Sequence, residues 1–135
     1  MLKQVFQAKV FNFGQNTTKM NIENFREYCL RKTGVTEEFP FDENTLVFKV
    51  KGKMFALTNL EGEWSLSLKC DPEKAIELRE QYHAIRPGYH MNKTHWNTVL
   101  MDGSLNEKLI CELIDHSYAL VVSKMPLRLK KELKL

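Results

Sequence analysis

Two apolar-rich runs, Leu46-Val47-Phe48-Lys49-Val50-Lys51 and Met54-Phe55-Ala56-Leu57-Thr58, are separated only by Gly52-Lys53. A connection that short leaves no room for a crossover, so a Lys-Gly-Lys turn between two such runs reads as an antiparallel hairpin. Trp64-Ser65-Leu66-Ser67-Leu68-Lys69-Cys70 then alternates with period two and adds a third strand. An antiparallel sheet is therefore the frame on which the other segments must be arranged.

Those other segments read mainly as helices. Asn21 can cap a first helix with Ile22, Phe25 and Cys29 on one face and Tyr28 beside them, ended by Thr33-Gly34. The stretch Glu37–Asp42 reads as a turn. Asp71-Pro72 couples a capping carboxylate to a proline at the first helical position, and Ala75, Leu78 and Tyr82, with Ile76 alongside, form the stripe of a second helix. The outer parts of the next segment, Ile85–Tyr89 and His95–Met101, can pair as a second hairpin. Asp102-Gly103 leads into a last helix, where Ser104 and Glu107 have capping-box spacing and Leu109, Ile110, Leu113, Ile114 and Val121 supply the apolar face. Pro126 marks its end, before a basic tail with Arg128, Lys130, Lys131 and Lys134. The predicted order is α-β(3)-α-β(2)-α, a two-layer α+β fold with helices packed on one face of an antiparallel sheet.

A chain of 135 residues with 43% apolar content suits one domain, expected over residues 20–125 between an N-terminal extension (1–19) and the tail (126–135). In the extension, Val5, Phe6, Val10, Phe11 and Phe13 follow neither helical nor strand periodicity, and Gly14–Thr18 reads as a linker. No apolar run approaches the ~20 residues of a membrane span, and no secretory signal pattern is present. Cys29, Cys70 and Cys111 are odd in number and widely spaced, which suits reduced thiols in a cytoplasmic protein. A net charge of +3 permits an acidic partner without requiring one.

Several segments together resemble the MmcQ/YjbR family of small bacterial proteins. They are Leu46–Leu57, Leu68-Lys69-Cys70-Asp71-Pro72-Glu73, the run Ile85-Arg86-Pro87-Gly88-Tyr89-His90-Met91-Asn92-Lys93 continued by His95-Trp96-Asn97, and Leu113-Ile114-Asp115-His116-Ser117-Tyr118. The likeness covers about residues 20–125 and leaves residues 1–19 outside. It implies a CyaY-like or secretion-chaperone-like two-layer fold, together with a "double-wing" DNA-binding role.

The run Ile85–Asn97 holds two cations, two histidines, two aromatics and two amides around one turn, more large hydrogen-bonding side chains than a plain loop needs. In a polyanion-binding reading, Lys49, Lys51 and Lys53 on the first hairpin and Arg86, His90, Lys93 and His95 on the second would face phosphates, with Tyr89 or Trp96 able to stack on a base. In a structural reading, the lysines are solvated residues that keep sheet edges from pairing, and Trp96 belongs to the core. No metal site is expected, because His83, His90, His95 and Cys70 match no zinc spacing. Cys70 could meet His90 or His95, but Asp71 beside it opposes thiolate formation, and phosphate-loop, nucleophile-elbow and zincin motifs are absent, so neither enzymatic activity nor a cofactor is expected. The functional expectation is a non-enzymatic DNA-binding or polyanion-binding protein. The alternative is a protein-interaction module that binds a partner segment or a second copy of itself.

Overall fold

The computed structural model describes residues 20–88 and 91–134. The expected extension (1–19) and two members of the 85–97 run, Tyr89 and His90, lie outside the described residues. Within them the order is α1 (Ile22–Leu30), β1 (Val35–Glu38), β2 (Thr45–Val50), β3 (Lys53–Asn59), β4 (Ser65–Lys69), α2 (Pro72–Gln81), β5 (Ile85–Pro87), β6 (Trp96–Leu100), α3 (Glu107–Ser123) and α4 (Leu127–Leu133). The strands form one six-stranded sheet in the order β1-β2-β3-β4-β6-β5, and every neighbouring pair is antiparallel. Both expected hairpins are present and belong to this one sheet, so the chain has the predicted α+β architecture.

The first hairpin turns on Lys51-Gly52, whose φ angles of 50° and 79° match the two-residue loop that follows the natural twist of paired strands. The second helix starts as read, with Asp71 Oδ2 accepting from the Lys74 amide and Pro72 at the first turn. In α1, Asn21 and Asn24 cap each other's backbone. The helices cover one sheet face, where Phe25, Phe48, Phe55, Leu66, Leu68, Ile85, Val99 and Ile114 make the main core. The opposite face carries a smaller cluster of Val47, Leu57 and Trp96, flanked by Met54 and Met91.

Three features differ from the sequence reading. An additional edge strand, β1, precedes the hairpin; it pairs on one side only and has a single apolar residue, so no alternation marks it. Its Glu37 is instead gripped by the Arg26 guanidinium of α1, with Nε at 2.7 Å. The last long helix is capped by Asn106, which accepts from the Leu109 amide at 2.8 Å, because Asp102 already holds both the amide and the hydroxyl of Ser104 in a local turn. The basic segment after Pro126 is the short helix α4, with Leu133 buried against Gly34.

A bulge shapes the middle of the sheet. The β2–β3 register passes from Phe48↔Ala56 to Lys49↔Met54, leaving Phe55 as the extra residue, so Phe55 and Ala56 both enter the main core. Beyond it, β3 parts from β4: the two strands pair only over Ala56–Thr58 and Leu66–Leu68. The side chain of Ser117, fully buried on α3, bridges the gap; its hydroxyl donates to the Phe55 carbonyl at 2.5 Å and accepts from the Lys69 amide at 2.9 Å. Its neighbours tie α3 to the other helices. Asp115 accepts from the Tyr28 hydroxyl and from Lys32, His116 Nε2 accepts from the Asp71 amide at 3.1 Å, and the Tyr118 hydroxyl donates to the Thr33 carbonyl at 2.6 Å.

Replacing Ser117 by alanine leaves a part-buried amide and a buried carbonyl without their partner, and should cost on the order of 2–3 kcal/mol of unfolding free energy in denaturant titration. Ser123→Ala, which removes only an exposed hydroxyl bonded to Leu120, should stay within about 0.5 kcal/mol of the parent. Equal effects for the two would contradict the bridging role.

His116 gives a pH dependence. Burial, reinforced by the Lys74 ammonium and opposed by Asp71, holds its imidazole below the ordinary histidine value. The unfolded chain then takes up a proton at higher pH than the folded one. The stability contributed by neutral His116 is complete above about pH 6.5 and is lost as pH falls through the folded value. The Tm of the parent should therefore fall more between about pH 7.5 and about pH 5 than that of His116→Gln, and parallel declines would contradict this.

Candidate functional site

Most of the 85–97 run is occupied with holding its own shape. The Gly88 amide donates to the Trp96 carbonyl at 2.9 Å, and a side chain on Gly88 would put a Cβ only 2.9 Å from that same oxygen. The Asn92 carbonyl takes the amides of His95 and Trp96, while its side chain takes that of Thr94. Asn97 is buried and accepts from Arg79 Nε at 2.7 Å. The other arm of this guanidinium donates to the carbonyls of Lys93 and Trp96, so α2 pins the loop through one side chain. Trp96 is only 7% exposed and sits in the smaller cluster, as a core residue.

The seven residues singled out from the sequence do not form one uniform cationic face. Lys49 pairs with Glu38 at 2.9 Å and Lys51 with Glu132 at 2.8 Å, a contact that holds the Glu132 carboxyl below its usual range. Both charges at that part of the hairpin are thus offset by carboxylates from β1 and α4. Arg86 is exposed on β5 and donates to the His83 carbonyl at 3.3 Å. Lys93 is exposed, and its carbonyl takes the Arg79 arm. His95 is half-buried, with its carbonyl accepting from the Cys70 amide at 2.8 Å. His90 lies outside the described residues.

Lys53 differs from the rest, because it borders a groove of about 430 Å³ opened where β3 parts from β4. Met54, Trp96, Val121, Met125 and Pro126 line its floor, and Lys53, Lys69 and Lys124 surround it. No carboxylate lines this groove, and none of its three lysines has an ion-pair partner among the described residues. Lys69 and Lys124 were missed in the sequence reading. They come from the end of a strand and the cap of a helix, and only the splayed sheet brings them beside Lys53. A larger depression of about 600 Å³ beside Met20, Trp64 and Ile110 carries the carboxylates of Asp102 and Glu107 instead.

The chemistry available in the groove is attraction of negative charge beside an apolar surface. Cys70, the cysteine that could meet His90 or His95 in the sequence reading, is buried, and loss of solvation pushes its thiol above the ordinary value, which disfavours the nucleophilic thiolate. No group of three or more His, Cys, Asp or Glu side chains among the described residues is arranged to hold a metal ion. No helix among them is long and apolar enough to cross a membrane.

The YjbR family model matches residues 30–120 of this chain. The uncharacterised protein YjbR of Escherichia coli strain K12 is 38% identical over 108 residues, spanning 79% of this chain and 92% of that protein. YbdF of Escherichia coli O157:H7 is 39% identical over 97 residues, which cover 71% of this chain and 80% of the relative. Among solved structures, the Deinococcus radiodurans protein DR2400 superposes with a TM-score of 0.82 at 42% identity, over 89% of this chain and 93% of its own. A Pseudomonas syringae protein superposes with a TM-score of 0.66 at 33% identity, over 75% of this chain and 98% of its own. Family model, sequence relatives and fold coincide: the chain belongs to the YjbR family.

Proposed function

We propose that the protein is a non-enzymatic, cytoplasmic binding protein whose ligand is a nucleic acid, held by its phosphates. The observation that carries this reading is the convergence of Lys53, Lys69 and Lys124 on a groove with no carboxylate in its lining among the described residues. Each lysine comes from a separate part of the fold, and none has an ion-pair partner among the described residues. A ligand with closely spaced negative charges engages all three and releases its own condensed counterions on binding. This moves the contact surface from the whole first hairpin to its Lys53 side, since Lys49 and Lys51 are already paired. Arg86 and Lys93, although exposed at the second hairpin, do not line this groove. The cytoplasmic assignment is supported by three cysteines that are all free thiols.

The test is the salt dependence of affinity for DNA, measured by fluorescence anisotropy. The logarithm of the binding constant should fall linearly with the logarithm of salt concentration, and Lys53→Ala, Lys69→Ala and Lys124→Ala should each lower the slope by about 1. Lys49→Ala and Lys51→Ala should change it much less, because each lysine is already neutralised by a carboxylate. Absent binding, or a slope indifferent to all three groove lysines, would overturn the proposal.

A further inference from the structure

The groove has a property that phosphate attraction alone does not use: its floor is apolar. Met54 is half-buried and Pro126 exposed, while Val121, Met125 and Trp96 are core residues only 6–7% exposed, so the accessible apolar surface belongs mainly to Met54 and Pro126. Methionine is unbranched and polarisable, and adapts to flat or irregular partners better than a branched side chain does. The walls are held in place by the buried Ser117 bridge between the Phe55 carbonyl and the Lys69 amide, so the opening is part of the fold.

We infer that the groove takes a single-stranded nucleic acid, seating one unstacked base against Met54 and Pro126 while flanking phosphates lie against Lys53, Lys69 and Lys124. This rests on the polyanion reading above and narrows it. A duplex keeps its bases stacked inside a rod and offers only phosphates and groove edges to a concave site, so the apolar floor would remain unfilled. A single strand exposes flat apolar faces joined by evenly repeated charges, which matches an apolar floor surrounded by cations from three elements. Such a site is tolerant of base identity, because among the described lining residues only the three ammonium groups and the Trp96 indole N–H can donate a hydrogen bond, too few to read a base edge. An acidic peptide shares the charge but carries it on flexible side chains, without a flat face attached to every charge.

The experiment compares four labelled probes on the intact protein: a twelve-residue oligothymidine, the same strand with every base replaced by an abasic spacer, the thymidine–adenine duplex of that length, and a twelve-residue polyglutamate. The single strand should bind about tenfold more tightly than the abasic strand of equal phosphate number. Met54→Ser, checked for an unchanged melting profile, should bring the two together by weakening only the strand that has bases. Lys69→Ala should weaken both. Equal affinity for the single, abasic and duplex probes would overturn the inference while leaving the phosphate reading standing. Tighter binding of polyglutamate than of the single strand would overturn it in favour of an acidic protein partner, and no binding of any probe would overturn both readings.

Discussion

The hydroxyl of Ser117 bonds to two strands of one sheet at the place where those strands stop bonding to each other. A buried carbonyl and a buried amide without partners cost more than most single contacts contribute, so a sheet cannot simply be parted in the middle of a domain. The bulge at Phe55 turns β3 away from β4 and pushes two consecutive side chains into the core. Ser117 supplies both missing partners with one small side chain, at a point where helix α3 lies against the sheet. A larger residue there would collide with the strands, and an apolar one would leave them unsatisfied.

The residues around it extend the same logic. Asp115, His116, Ser117 and Tyr118 are consecutive on α3, and at about 100° per residue Asp115 and Tyr118 share a side while His116 and Ser117 point elsewhere. Asp115 and Tyr118 reach the end of α1, where Lys32 lies over the rings of Tyr28 and Tyr118; His116 reaches the start of α2; Ser117 reaches the sheet. Four adjacent side chains thus set the position of α3 against α1, α2 and the sheet. The similarity of this segment to the family is accounted for by architecture, without any need for it to touch a ligand. The same holds for much of the 85–97 run, where Arg79, Asn92 and Asn97 satisfy backbone and side-chain groups of the loop itself.

What could be read in advance was whatever depends on local chemistry. The Lys51-Gly52 turn, the Asp71-Pro72 helix start and the alternation of Ser65–Lys69 each carry their own physical signal, and the α+β architecture follows from them. Strand β1 was not legible, because an edge strand with one apolar residue shows no alternation. The cap of α3 was misassigned because Ser104 and Asn106 offer the same chemistry, and only the turn closed by Asp102 decides between them. The site was the least legible part. Lys49 and Lys51 looked like open cations, yet their partners Glu38 and Glu132 belong to the strand and the helix that left no pattern. Lys69 and Lys124 lie 55 positions apart, and only the parted sheet makes them neighbours of one groove.

Backbone amide shifts on titration with a short single-stranded oligonucleotide test the central claim, that parting β3 from β4 creates the binding surface. Shifts should grow together at Lys53, Met54, Lys69, Trp96 and Lys124, with Lys49 and Arg86 far less affected. Shifts centred on Lys49 and Lys51, or on the Arg86–Lys93 edge, with the groove unchanged, would contradict the account.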